Sequence, residues 1–457
     1  MSTDRINSKT LLAFGAPAVG AGYMYLLLAL YVMKFSTDVL LIAPAIMGLI
    51  FSVSRIWDAI SDPLVGYLSD RTTTSLGRRR TWILFSFVPI AIGFYAVFAP
   101  PFSLSGDALS WWMAASIIGF YSAMTIFFVP HMALGAELSN DYHERSRLFG
   151  LRHAFYTFGS ILSLATMQLL LNEEFREGGD VRAMAEEYAL YAVVAMSVLV
   201  LYAVVYLRER PEFQGRLSSS PTSAFRDVWQ NPHARLLVIV TFIENVGSSA
   251  IAVLTLYVTQ YVVGAPLWAP FIILAYMLPS TASVPMWLPL SRRFGKIKVW
   301  IVGMALYGLS FGGMFFLPFL DTVDARLTLI IVMAAFAGLA AGCGGTIGPS
   351  VQGDVIDYDE YKTGERKEGS YFAVWNFTYK SALGFMLLLT GFVLEASGFV
   401  PNQPQTMTVQ ISMVTLYGAL PLLCYVIGAV LFSRFKLTEQ EYAVIRAELD
   451  QRAAATD

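Results

Sequence analysis

The sequence predicts an all-α membrane protein whose twelve transmembrane helices form two related six-helix bundles. Three observations predict this fold class: the composition, twelve apolar runs of helix length, and the distribution of basic residues. Only 14% of the 457 residues are Asp, Glu, Lys or Arg, and 56% are of the hydrophobic types, whereas about 25% of a soluble domain is charged. This composition excludes a soluble enzyme and a disordered chain, and a net charge of −2 leaves no basic surface for a nucleic acid.

Twelve runs of the sequence are long and apolar enough to cross a bilayer, which takes about 20 residues of helix. Because lipid offers the backbone no hydrogen bonds, each run should be a helix and strands should be absent. The runs are Thr10–Met33, Ile42–Leu68, Trp82–Phe98, Leu109–Leu138, Leu148–Leu171, Tyr188–Leu207, Leu236–Val263, Trp268–Pro289, Val299–Leu320, Leu327–Val351, Ser370–Leu394 and Met407–Phe432.

The basic residues predict the orientation, because cytoplasmic loops carry an excess of Lys and Arg. The chain has 31 of them. With the N-terminus inside, the outer loops contain Lys34, Arg176, Arg182 and Arg326, and the spans contain Arg55 and Lys380. All the others fall on the cytoplasmic side, so we predict that both termini are cytoplasmic.

The charged segment Arg208–Arg235 divides the spans into six and six, and the two halves contain similar motifs at matching places. We therefore predict a bundle at 1–207, a cytoplasmic loop at 208–235, a bundle at 236–433 and a tail at 434–457. The second span is followed by Leu68-Ser69-Asp70-Arg71 and then Gly77-Arg78, and the eighth by Leu290-Ser291-Arg292-Arg293 and then Gly295-Lys296. The fourth span is followed by Asp141-Tyr142-His143-Glu144, and the tenth by Asp357-Tyr358-Asp359-Glu360. Such repeats predict a duplicated unit and a binding site near the midplane between the halves.

The charged residues in these cytoplasmic loops have two interpretations. They are signals that set the topology, and they are also candidates for ion pairs between the halves that hold one conformation closed. The candidate gating residues are Asp70, Arg71, Arg78, Asp354 and Asp357.

Charged residues inside the spans are functional candidates, since a charge at mid-bilayer costs at least about 2.5–3.5 kcal/mol. Arg55, Asp58 and Asp62 share one helical face at offsets of three and seven. Two carboxylates one turn apart repel unless a cation, a proton or a basic group lies between them. Hard cations prefer oxygen ligands, and Thr125 of the fourth span is a candidate third oxygen. Lys380 lies near the midplane in the other half.

Each of these residues also has a structural interpretation. The second-span charges would then form an ion-pair network without function, and Thr125 would be an ordinary packing residue. Glu244 is either a boundary residue that reaches toward the membrane surface or a contact to the substrate. His131 is either a hydrogen-bonded interior histidine or a group that contacts substrate or a proton.

The second-span sequence Ser54-Arg55-Ile56-Trp57-Asp58-Ala59-Ile60-Ser61-Asp62-Pro63 resembles the signature of the glycoside–pentoside–hexuronide:cation symporters, a family of the major facilitator superfamily. The segment Asp354–Lys362 resembles the family's motif after the tenth helix. The resemblance implies a cation site at Asp58, Asp62 and Thr125, with Lys380 beside it, and an arginine near the sugar at Arg152. It implies no cofactor, a coupling ion that is sodium or a proton, a monomer, and a place in a bacterial inner membrane.

The sequence departs from the family where galactoside carriers hold their sugar. Gly22 and Phe128 stand where those carriers have two sugar-binding aspartates. Met132 stands in place of a nearby tryptophan, and Gly345 in place of an aromatic residue of the tenth helix. The galactoside site is therefore not retained, since buried hydroxyls would be left unpaired at about 1–3 kcal/mol each. Candidate contacts for another sugar are Glu244, Trp375, Asn376, Tyr156, Gln260 and His131.

Three alternative functions remain open. A vertebrate sodium-dependent lysolipid transporter resembles the same family, and Phe127, Phe128 and Met132 would suit an amphipathic substrate as well as they suit helix packing. A sensor that binds without transport is a second alternative. A membrane enzyme is the third, but the sequence has no zinc-protease motif and no clustered Ser, His and Asp, so we predict that the protein is not an enzyme.

Overall fold

The computed structural model describes residues 6–139, 142–209, 226, 228–364, 367–437 and 439–454, and all regular structure in them is helical. The chain divides into two compact units, Met1–Ser219 and Ser220–Asp457. This division falls within the predicted loop 208–235, most of which lies outside the described residues, as does Asp141 of the fourth-span motif. The exact boundaries of the predicted domains stay a prediction.

In the residues that the structure describes, the first unit contains seven α-helices, and a π-helical turn at Phe35–Val39 extends the second of them. The helices are α1 (Ser8–Gly15), α2 (Pro17–Lys34), α3 (Pro44–Arg71), α4 (Arg78–Phe98), α5 (Gly106–Glu137), α6 (Tyr142–Glu174) and α7 (Val181–Tyr206). Helices α1 and α2 together form the first predicted span.

The second unit contains the remaining helices, with π-helical turns at Val258–Val263 and Thr415–Ala419. They are α8 (Pro232–Tyr257), α9 (Ala269–Ala282), α10 (Val284–Phe294), α11 (Lys296–Met314), α12 (Val323–Thr363), α13 (Glu368–Ala396), α14 (Met407–Val414), α15 (Leu420–Phe432) and α16 (Glu439–Ala454).

The count of twelve spans is not exactly confirmed. Within the described residues, ten helical segments are long and apolar enough to cross a membrane, and the segment Pro266–Ala282 with Val284–Phe294, bent by 47°, makes eleven. The second predicted span, α3, has 28 residues, but Arg55, Asp58 and Asp62 lower its hydropathy. The segment least suited to lipid is thus the one that carries the candidate site.

The two units use the same order of helix packing. In the first unit α2 packs on α6, α3 on α5, α4 on α5 and α4 on α7. In the second unit the matching spans pack in the same way: α8 on α13, α9 on α12, α11 on α12 and α11 on α15. The duplicated unit predicted from the loop motifs is therefore present in the fold.

Lys34 does not lie in an outer loop, so its predicted location was wrong. It is the last residue of α2 and is 1% exposed. Its Nζ lies 3.3 Å from Asp38 Oδ2 and also pairs with Glu174 of α6. The π-helical turn continues the helix beyond Lys34, and two carboxylates neutralise the ammonium group, which makes its burial tolerable.

The matching loops of the two units make matching ion pairs. In the first, Gly77 at φ 115° precedes Arg78, whose Nη2 lies 2.6 Å from Glu137 Oε1 at the end of α5. In the second, Gly295 at φ 86° precedes Lys296, whose Nζ lies 2.6 Å from Asp354 Oδ2 on α12. Glycine suits both turns because other residues are strained at such φ values.

The other candidate gating residues also have partners within their own units. Asp70 pairs with Arg79, and the Arg71 guanidinium lies 3.6 Å from the centre of the Tyr67 ring. Asp357 accepts a hydrogen bond of 2.8 Å from Tyr442 in α16. These contacts hold the helix ends of each unit together, and a gate between the halves stays a prediction.

Glu209 caps the N-terminus of α4 and provides a first test of the fold. Its carboxylate accepts the backbone N–H groups of Arg78, Arg79 and Arg80 at 3.0, 2.7 and 2.8 Å, which the first turn of a helix otherwise leaves unpaired. We expect Glu209→Ala to cost about 0.5–2 kcal/mol and to lower the midpoint of thermal unfolding in detergent. Glu177→Ala, in an exposed loop, is the matched control, and an unchanged midpoint for Glu209→Ala would contradict the capping role.

Candidate functional site

Three oxygen-bearing side chains converge where α3 packs on α5. Thr125 Oγ1 lies 2.7 Å from Asp58 Oδ1 and 3.0 Å from Asp62 Oδ1. Asp58 and Thr125 are each 2% exposed, and Asp62 is half-buried. A threonine hydroxyl carries a single hydrogen and donates to one acceptor at a time. The second short contact is favourable when Asp62 is protonated and donates to the hydroxyl oxygen, or when a cation lies between the oxygens.

Arg55 lies on the same face of α3 and is 7% exposed. Its Nη1 is 3.9 Å from Asp58 Oδ2, beyond hydrogen-bonding distance. Its guanidinium is 3.4 Å from the centre of the Tyr121 ring, a cation–π contact. If all three are ionised, Arg55, Asp58 and Asp62 together carry one net negative charge, which matches a single monovalent cation or proton.

A chain of aromatic contacts connects this cluster to Arg152. The Tyr25 ring lies 6.1 Å from Tyr121 and 6.3 Å from Phe128, and the Arg152 guanidinium lies 4.9 Å from the Phe128 ring. Tyr156 follows Arg152 by one helical turn and is half-buried. The structure thus brings Asp58, Asp62, Thr125 and Arg55 together and places Arg152, Phe128 and Tyr156 at the other end of the aromatic contacts.

Sequence reasoning did not select Tyr25 and Tyr121 as site residues. Tyr121 precedes Thr125 by four residues and so shares its helical face, which is the signal that could have identified it. Tyr25 lies in the Tyr23-Met24-Tyr25 stretch of the first span. The signal is weak because aromatic residues make up 14% of the chain.

His131 is packed between two phenylalanine rings. Its ring is 1% exposed and stacks on Phe14 at 4.4 Å and on Phe127 at 4.9 Å. Neither ring nitrogen makes a hydrogen bond of ordinary geometry with a described residue. Both interpretations of His131, an interior histidine and a group that contacts substrate or a proton, stay predictions.

The second unit contains the other predicted residues. Trp375, Asn376 and Lys380 lie on α13: Trp375 is 1% exposed and packs on Tyr371, Asn376 is exposed, and Lys380 is half-buried. Glu244 on α8 is 8% exposed and lines a cavity of 260 Å³ within this unit. A carboxylate that reached toward the membrane surface would be exposed, so the structure favours the other interpretation of Glu244.

The fold is shared with known membrane transporters. The chain belongs to the MFS/sugar transport protein family, whose model matches residues 13–439, and the resemblance to the glycoside–pentoside–hexuronide:cation symporters is confirmed. The chain is therefore a multi-pass membrane transporter and not an enzyme.

Relatives match the chain over nearly its whole length. The inner membrane symporter YicJ of Escherichia coli (strain K12) is 26% identical over 99% of this chain and 96% of its own. The isoprimeverose transporter of Lactiplantibacillus pentosus is 26% identical over 94% and 88%. The sodium-dependent lysophosphatidylcholine symporter 1 of Xenopus tropicalis is 27% identical over 91% and 84%.

Solved structures share the fold at low sequence identity. The nucleoside transporter NupG superposes with a TM-score of 0.65 at 13% identity, over 93% of this chain and 97% of its own. A D-xylose–proton symporter gives a TM-score of 0.62 at 15% identity, over 93% and 95%. At such identities the likeness concerns the fold alone.

Proposed function

We propose that this protein is a sodium-coupled symporter that carries a glycoside, pentoside or hexuronide across a bacterial inner membrane by alternating access. The observation that carries the proposal is the contact of Thr125 Oγ1 with both Asp58 Oδ1 and Asp62 Oδ1. The protein acts as a monomer with both termini in the cytoplasm. It uses a coupling ion and no cofactor. Relatives named as symporters, an isoprimeverose transporter and a glucuronide carrier homologue support this class of solute.

The coupling follows from the charges on α3. A bound cation neutralises the repulsion between Asp58 and Asp62 and so stabilises the arrangement in which their oxygens converge. That arrangement must differ in cation affinity from the opposite conformation, because an ion shifts an equilibrium only through such a difference. Lys380 is the candidate group that compensates the carboxylates after the cation has left.

Sodium fits the cluster better than a proton. A proton needs one acceptor, whereas a hard metal cation gains from several oxygen ligands. The neutral hydroxyl of Thr125 adds an oxygen ligand without adding charge. The cluster therefore has more oxygen ligands than the binding of one proton requires.

A lysolipid is the alternative substrate, favoured by the Xenopus relative. The apolar residues that would suit it have structural contacts here: Phe127 stacks on His131, and Phe128 packs edge-on against Tyr25. These contacts account for the phenylalanines without an acyl chain, so the sugar-like solute is the better-supported proposal.

Replacing sodium by choline at fixed pH tests the proposal. In proteoliposomes with D-xylose, isoprimeverose and D-glucuronate as probes, we expect the initial uptake of at least one probe to fall by about 5- to 150-fold, the usual range of coupling between sites. Uptake that persists in choline and collapses with a protonophore would replace sodium by a proton. Solute-induced stabilisation without accumulation would indicate a sensor.

A further inference from the structure

The second unit contains a cavity whose lining has an acid and no base. It has a volume of 260 Å³ and is lined from α8, α9, α11, α12, α13 and α15. Glu244, 8% exposed, lies at its wall, and Lys, Arg and His are absent from its lining in the described part of the chain. A buried carboxylate in a membrane span needs hydrogen-bond donors or a proton to be tolerated. The cavity belongs to the second unit, whereas the Asp58 cluster belongs to the first.

Other hydrogen-bonding groups line the same cavity as this carboxyl. The Tyr276 and Tyr307 hydroxyls share a hydrogen bond of 2.9 Å, in which one oxygen donates and the other keeps its own proton for a further partner. Asn245 Nδ2 donates to Thr241 O at 2.7 Å, which leaves its Oδ1 available to a ligand. Donors and acceptors are therefore both present, as a ligand with several hydroxyl groups requires.

Aromatic faces and glycines complete the wall. The Tyr307 and Tyr425 rings lie 4.5 Å apart, and Trp300 lines the same cavity. A Cβ atom added at Gly344 or at Gly345 would meet no atom of the described residues within 4 Å, so α12 leaves open space there. Rings beside polar groups suit the apolar faces and hydroxyl edges of a sugar.

The size and charge of the cavity restrict its ligand. Its 260 Å³ lies just below the roughly 300–1,000 Å³ typical of drug-sized ligands, which suits one sugar ring and not a headgroup with an acyl chain. An anionic solute would face Glu244 at low dielectric without a cation to offset the repulsion. A lone acid therefore selects against uronides.

We infer that the cavity around Glu244 is a binding site for an uncharged, single-ring sugar, with Glu244 accepting hydrogen bonds from its hydroxyls. This inference rests on the proposed function and narrows its solute to neutral pentoses and hexoses. All the residues that line this cavity belong to the second unit.

A thermal-stability assay on the purified full-length protein tests the inference. The probes are D-xylose, D-glucose and D-galactose, with D-glucuronate and the cation glucosamine for comparison, all in sodium. We expect at least one neutral sugar to raise the midpoint of unfolding and D-glucuronate not to do so. Glu244→Gln, which keeps the side-chain shape, should weaken the apparent affinity by about tenfold or more.

Gly345→Leu provides the second variant because its Cβ atom enters open space, its side chain occupies the cavity, and leucine favours the helix. It should abolish the response to sugar while the protein stays folded. Gly353→Leu, on the same helix and also with open space at its Cβ, is the matched control and should respond like the wild type.

The outcomes separate this inference from the proposed function. A sugar response that survives in Gly345→Leu, a response to D-glucuronate or glucosamine in place of neutral sugars, or no response to any probe overturns the neutral-sugar site. The effect of sodium without sugar is measured in parallel. If sodium stabilises the wild type, the proposed cation site stands even when the cavity fails.

Discussion

Replacing Asp58 by asparagine is expected to abolish sodium-stimulated transport while leaving the protein folded. Asp58 is 2% exposed and lies 2.7 Å from Thr125 Oγ1, so it contributes both the charge and a ligand at the centre of the cluster. Removing one partner of a buried, hydrogen-bonded charge pair costs about 2–5 kcal/mol of binding free energy, which corresponds to a loss of about 30-fold or more in cation affinity. Solute counterflow with and without sodium measures the effect.

The matched control is Asp321→Asn, which removes the same charge from an exposed loop position of the second unit. It should keep both its sodium stimulation and the rise in unfolding temperature that sodium produces. Thr125→Ala should fall between the two, since it removes a neutral ligand and retains both carboxylates. Sodium stimulation of wild-type size in Asp58→Asn would exclude Asp58 from the cation site.

The candidate cluster could be predicted from the sequence because its parts obey local geometry. The offsets of three and seven residues place Arg55, Asp58 and Asp62 on one face of any helix, whatever surrounds it. Thr125 is 63 residues beyond Asp62, and its depth in the fourth span together with the family resemblance brought it into the prediction. The packing of α3 on α5 then joins the two.

The contacts that sequence reasoning missed depend on long-range packing. Lys34 pairs with Glu174, 140 residues away, and no periodicity within either span indicates such a pair. The cap on α4 is a similar case, because Glu209 and Arg78 are 131 residues apart in the sequence. Helix ends were missed for a local reason: π-helical turns such as Phe35–Val39 carry a helix beyond the apolar run.

The cavity at Glu244 was also only partly predictable, because the sequence pattern shows the charge but not the helices that pack around it. The sequence indicated a charge inside a span, but it left Glu244 open between a boundary position and a substrate contact. Only the assembly of α8 with its neighbours shows tyrosines in the same cavity as the carboxyl and open space at Gly345. A glycine in a span can serve close packing or leave a void, and the sequence does not distinguish the two.

Gly22 differs from Gly345 because it serves close packing of helices. Introducing aspartate at Gly22 is expected to disrupt the first unit and not to restore a galactoside site. A Cβ atom at Gly22 would overlap the carbonyl oxygen of Tyr156, and one at Gly159 would overlap that of Val19. Helices α2 and α6 therefore approach each other through two glycines, as in other close-packed membrane helices. Overpacking costs about 1–3 kcal/mol, and a charge at this depth adds at least about 2.5–3.5 kcal/mol.

The measurements are the yield of monodisperse protein and the midpoint of thermal unfolding, with Gly22→Ala and Gly150→Ala as a matched pair. Gly150 also lies on α6, but a Cβ atom added there meets none of the described residues within 4 Å. Because alanine favours a helix over glycine by about 1 kcal/mol, Gly150→Ala should not destabilise the protein, whereas Gly22→Ala should do so through the backbone overlap. A Gly22→Asp protein that is as stable as the wild type and binds a galactoside would show that α2 and α6 can separate, and the loss of the galactoside site would then be a matter of side-chain chemistry alone.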